Sequence, residues 1–176
     1  MLPRLEPPLL LDTDLNVEIQ PYLDAIGFST QFALHVDANE RDDVDLLRWA
    51  TQRGYIYVCH DRFKDRDTKI KIYPELHQNG GKVLRIAGDS SQDPLVAVGK
   101  ILVDREKWQQ WFENNDGIVI VRANNKPIYQ YARDLYARIE RYLEEDDPAR
   151  RLRDREPGGK RPRRRRSPPD QPRLIS

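Results

Sequence analysis

Leu9-Leu10-Leu11-Asp12-Thr13-Asp14 sets a short apolar run against two acids. A run of that length closed by polar residues reads as a buried strand, and the acids then fall at its carboxyl end. Similar runs, rich in branched and aromatic residues, recur at Phe28 to Leu34, Tyr55 to Cys59, Lys82 to Ile86 and Gly117 to Val121, which predicts five strands. Segments with helical spacing lie between them: Ile19, Leu23 and Ile26; Leu46, Leu47 and Ala50; then Leu95, Val98, Ile101 and Leu102, running on to Trp108, Trp111 and Phe112. Pro21 suits the first turn of a helix starting near Gln20 better than the interior of one starting at Asn16. Alternation of strands and helices with short connections predicts an α/β fold over residues 9–124, a three-layer α/β/α sandwich with a mainly parallel central sheet.

Two further segments follow. Ile128, Tyr131, Leu135, Ile139, Tyr142 and Leu143 repeat at helical intervals among charged residues, which predicts an appended amphipathic helix over 127–147. One face of it is expected to pack on the domain or to serve a homodimer. Residues 148–176 form an Arg/Pro-rich tail expected to be disordered, because it has almost no apolar content to offset the entropy of ordering. Arg150 to Ser176 holds eleven Lys/Arg against three Asp/Glu, and the rest of the chain nineteen against twenty-six. The tail is either a solubilising extension or an attractor of phosphate backbones.

No stretch approaches the roughly 18–20 apolar residues of a membrane span, and the start of the chain lacks the pattern of an export signal. A cytoplasmic protein with no membrane partner is expected. Cys59, the one cysteine, lies in an apolar run and reads as a small hydrophobe suited to a reducing compartment.

Acids that follow strands carry most weight, because ligands of parallel sheets bind beyond the carboxyl ends of the strands. Asp12 ends the first strand and Asp61 follows the third. Asp43 opens the helix Asp43-Val-Asp-Leu-Leu-Arg-Trp-Ala50, whose start would bring its carboxylate to the same crevice. Carboxylates without cysteine or spaced histidine ligands favour a hard cation, Mg²⁺ or Mn²⁺. Asp43 alone also suits a helix cap, while Asp37, Asp42 and Asp45 read as a solvated face. His60 lies beside Asp61, and Arg62, Lys64, Lys69 and Lys71 follow it, where they could hold an RNA backbone or form an ordinary charged surface. His35 and His77 have no zinc-ligand spacing. Tyr129, Tyr131 and Tyr136 suit helix packing better than base stacking.

The pattern Leu10-Leu11-Asp12-Thr13-Asp14-Leu15, then Gly27, then Asp43-x-x-Leu46-Leu47-x-x-Ala50, then Tyr57-Val58-Cys59-His60-Asp61 resembles bacterial PIN-like domains over roughly Leu9 to Val121. The resemblance implies a metal-dependent ribonuclease, related to the toxins of toxin–antitoxin pairs and to RNA-processing enzymes, with an antitoxin protein as a candidate partner. Carried over, it implies Asp12, Asp43 and Asp61 as metal ligands and catalytic residues, with Asp14 in support. The chain departs from the pattern in two places. Cys59 stands where threonine is common, and Asp61-Arg62-Phe63-Lys64 replaces Asp-x-Asp-Phe, which leaves Asp65 as a weak substitute for the second acid. Glu40 is a weak match for a further glutamate.

Other readings compete with an active nuclease. One is a catalytically inactive PIN-like module that binds RNA or a protein. Another takes Asp12 and Asp14 as the nucleophile and acid/base of a haloacid-dehalogenase-like phosphatase. The third is a phosphoacceptor receiver domain, in which Arg122 stands where a lysine is expected.

Overall fold

Leu9, Leu10 and Leu11 pair in parallel with two strands at once, Thr30 to Phe32 on one side and Ile56 to Val58 on the other. This places the opening run at the interior of a sheet. The computed structural model describes residues 5–36, 42–88, 93–122 and 125–146. The chain divides into two units, residues 1–141 and 142–176, and the sheet belongs to the first. Its strands are β1 (Leu5–Leu11), β2 (Phe28–Phe32), β3 (Ile56–Cys59), β4 (Lys82–Ile86), β5 (Gly117–Arg122) and β6 (Asn125–Tyr131). They lie in the order β2-β1-β3-β4-β5-β6, with every neighbouring pair parallel except β5 and β6.

The helices are α1 (Ile19–Ala25), α2 (Asp43–Gln52), α3 (Arg66–Asn79), α4 (Pro94–Leu102), α5 (Arg105–Asn114) and α6 (Ala132–Asp146). Side-chain alternation along the strands divides the core in two. Leu9, Leu11, Val58, Leu84, Ile86, Val119 and Val121 pack with residues of α1, α4 and α5. Leu10, Tyr57, Cys59, Val83, Ile118 and Ile120 pack with α2, α3 and the start of α6. The fold is therefore α/β, with a mainly parallel sheet covered by helices on both faces. No helix among the described residues is long and apolar enough to cross a membrane.

Several expectations change. The helical pattern assigned to 127–147 begins only at Ala132, because Asn125–Tyr131 forms an antiparallel strand against β5. Pro127 is tolerated there because β6 lies at the edge of the sheet, where one side of the backbone has no ladder to lose. Gly117 permits the pairing: it sits at φ +139°, and a Cβ at this position would stand 2.1 Å from the Gln130 carbonyl oxygen. The long helical segment from Leu95 to Phe112 is two helices, broken where Asp104 adopts a left-handed conformation. Helix α3, unmarked by any clear apolar periodicity, spans β3 to β4 and carries Pro74 in its interior. The first helix starts at Ile19 with Pro21 in its first turn, as the later start required. The tail 148–176, Glu40 and Asp37 lie outside the described residues.

Candidate active site

The strand order changes direction between β1 and β3, and crevices of parallel sheets form at such switch points, beyond the carboxyl ends of the strands. Asp12 follows β1 there. Its amide donates to the Val58 carbonyl (2.9 Å), extending the pairing with β3 by one residue. Its Oδ1 accepts from the Thr13 amide at 2.7 Å. Asp12 as a residue is only 5 % exposed, and burial together with the charge of Asp14 raises its pKa to about 6. The Tyr57 hydroxyl pulls that value partly back. This hydroxyl is enclosed and has no hydrogen-bond partner of good geometry, and burial drives its own pKa well up.

Asp43 comes from the other side of the crevice, in the first turn of α2. Burial and then the charges of Asp12, Asp61 and Asp42 raise its pKa to about 6. It does not cap the helix. Asp42 does, accepting from the amides of Val44 (3.1 Å) and Asp45 (3.0 Å), a role added to the solvated position expected for it, since its side chain stays exposed. Because the cap is made by its neighbour, Asp43 is left to face the crevice.

Asp14 accepts from the His60 amide at 3.0 Å, linking the loop after β1 to the end of β3. Burial raises its pKa, while the His60 amide bond lowers it. The His60 ring is fixed as well: Nδ1 lies 2.9 Å from the Ile86 carbonyl, which can only accept, so Nδ1 carries the proton. Asp61 is exposed and turns back to accept from the Phe63 amide at 2.9 Å. That turn puts Phe63 at φ +44° with its ring buried, fixing the loop on the core. Arg62 and Lys64 flank it, exposed.

Four acids from three connections thus share one electrostatic field: Asp12, Asp14, Asp43 and Asp61. All four also act on the thiol of Cys59, which burial pushes well up. Asp65 stands outside the group as the N-cap of α3, accepting from the Thr68 amide at 2.8 Å. His35, on a 3-10 turn, contacts Phe32, and His77 stacks on Tyr136 at 4.9 Å. Lys69 and Lys71 ride on α3, and Lys71 pairs with Asp42 at 3.6 Å.

Two residues escaped the sequence reading. Lys100, buried on α4, donates to the Ala87 carbonyl at 2.9 Å and puts a cation beside the end of β4. Arg85 occupies a core-facing position of β4 opposite Cys59. Neither has a motif; each shows only as a basic residue inside an otherwise apolar run.

The acids supply only oxygen donors, in excess negative charge; this chemistry fits a hard divalent cation. The side chains are not gathered about one point: among the described residues, no three His, Cys, Asp or Glu groups stand close enough to hold an ion. Compared with protein-family models, curated proteins and solved structures, the chain matches none.

Proposed function

We propose that the protein is a PIN-like, metal-dependent ribonuclease whose centre is formed by Asp12, Asp43 and Asp61, with Asp14 as a positioning residue. The observation that carries this reading is the burial of Asp12 and Asp43 at one end of the sheet, with the charges of Asp12 and Asp61 also acting on Asp43. Asp12 and Asp43 belong to different elements, yet each is raised to about 6 with the charge of another acid of the crevice among the causes. Buried carboxylates that share a field at a topological switch point cost stability, and a bound cation would draw them together and relieve them. Asp12, Asp43 and Asp61 would hold Mg²⁺ or Mn²⁺, which supplies charge neutralisation at a phosphodiester and lowers the pKa of water. The chain's own residues orient the rest. Asp14 fixes the end of β3 through the His60 amide, and the Asp61 turn holds the loop that carries Arg62 and Lys64. In hydrolysis a P–O bond of the diester breaks. The oxygen of water ends on phosphorus, and the leaving oxygen takes up a proton.

The test is cleavage of a mixed RNA pool with and without Mn²⁺ by wild type, Asp12→Asn, Asp43→Asn and Asp61→Asn. Metal-dependent cutting that each substitution reduces by at least about a hundredfold is expected, on the scale of a lost transition-state contact. Metal-independent cutting, or cutting untouched by all three changes, overturns the mechanism. If nothing is cut but Mn²⁺ binds the wild type and not the variants, the metal centre stands without the nuclease.

One observation favours a second reading. The order β2-β1-β3-β4-β5 is also that of doubly wound signalling domains, with Asp12 and Asp14 after β1, Asp61 after β3 and Arg122 ending β5. Stoichiometric labelling of Asp61 by a small phosphodonor would establish a receiver in place of the nuclease.

A further inference from the structure

Alternation along β4 sends Leu84 and Ile86 to one core, and Val83 with Arg85 to the other. Arg85 therefore stands where its lateral neighbours Cys59 and Ile120 are both buried apolar residues. Its Nε is enclosed and has no hydrogen-bond partner. A buried donor left unmade is costly, and a native fold satisfies such a group with water, an ion or a ligand.

The surroundings indicate the ligand's charge. Arg122 ends β5 on the same face as Ile120, one strand across and two residues along, about 8 Å from Arg85 between Cα atoms at ordinary sheet spacings. Arg62 reaches the same region from the loop after β3. Burial, and after it the like charges of Arg62 and Arg122, lower the pKa of Arg85. Asp61, whose Oδ1 accepts from the Phe63 amide, is the opposing acid nearby and offsets part of this effect. Three guanidinium groups thus act on one region at the same end of the sheet as the acids. A phosphodiester brought to the acids alone would be repelled by them. Planar guanidinium forks match the oxygens of phosphate; the exposed Arg62 and Arg122 would meet the ligand first, with the half-buried Arg85 behind them.

We propose that Arg85, with Arg62 and Arg122, forms a phosphate-binding subsite that takes a non-bridging oxygen of a single-stranded RNA backbone beside the Asp12, Asp43 and Asp61 centre. The inference rests on the nuclease reading for the nature of its ligand. It does not need the metal.

The experiment follows the Nε–H resonances of arginine in the full-length protein, with a chelator present, during titration with a short single-stranded RNA and separately with inorganic phosphate. The Arg85 signal is expected to move and saturate with RNA, and to move at higher concentration with phosphate. Arg85→Lys should weaken RNA binding about tenfold, the scale of a lost hydrogen bond to a charged group. Arg122→Gln alters an exposed side chain, so it carries the test if Arg85→Lys does not fold; a severalfold loss is expected. An Arg85 signal that ignores both ligands, binding unchanged in both variants, or a stronger response to an acidic peptide than to RNA overturns the subsite. Binding as described without metal-dependent cleavage would fail the nuclease reading and leave the subsite standing. Normal cleavage by both variants, with no RNA effect on Arg85, would do the reverse.

Discussion

Asp12 and Asp43 set the behaviour of the crevice because each is more acidic in the unfolded chain than in the folded one. Their folded values, about 6, lie above the ordinary aspartate value near 3.9, so protonation favours the fold. This contribution is complete below about pH 4 and is lost as pH rises through about 6. Asp12→Asn and Asp43→Asn are therefore expected to raise the melting temperature of the metal-free protein at pH 7.5, by about 2–4 °C for each kcal/mol of charge burial and repulsion removed. At pH 4 the gain should vanish. Thermal melts of the three proteins across this range check it, and variants less stable than wild type at pH 7.5 would contradict the picture of unrelieved charge. Mn²⁺ should stabilise the wild type by more than either variant, since an ion bound only to the folded state adds its binding energy to the fold.

At the scale of elements, one residue separates structure from chemistry at the start of α2. Asp42 makes both cap bonds, and Asp43 makes none. Asp42→Ala is expected to cost about 1 kcal/mol of stability, the usual worth of a cap, and to leave the charge on Asp43 in place. Asp43→Ala should not carry that cost. Chemical denaturation of the two variants distinguishes the roles, and equal losses would mean that Asp43 shares the capping. Most of this level was legible in the sequence. Five strands, the carboxyl-end positions of Asp12 and Asp61 and the start of α2 followed from apolar runs and their closing acids. The parts not legible have physical causes. Ile128, Tyr131 and Leu135 fit a helical interval, yet Tyr131 ends a strand and Leu135 sits in a helix, because pairing with β5 outweighs local periodicity. Helix α3 combines an interior proline with many charged residues, so its buried face reduces to Ile72, Glu75 and Leu76 and gives little pattern. Which of two adjacent aspartates caps a helix depends on backbone angles that sequence does not display.

For the molecule as a whole, the sheet order places β3 between β1 and β4, at the centre of the parallel array. The positions of the acids at strand ends could be anticipated because topology alone brings strand ends together; the placement of Arg85 could not, because it depends on register and on which face the strand presents. That same central strand holds the chain's one thiol, Cys59, sealed in the core and driven away from its reactive thiolate form by burial and by the acids above it. A thiol reagent can reach it only when β3 parts from its neighbours. Cys59 is thus a built-in timer of sheet opening: in excess reagent, the modification rate should equal the rate of opening and slow when Mn²⁺ holds the acids together. Modification on mixing, at a rate indifferent to denaturant and to metal, would show that the strand is reached without the sheet giving way.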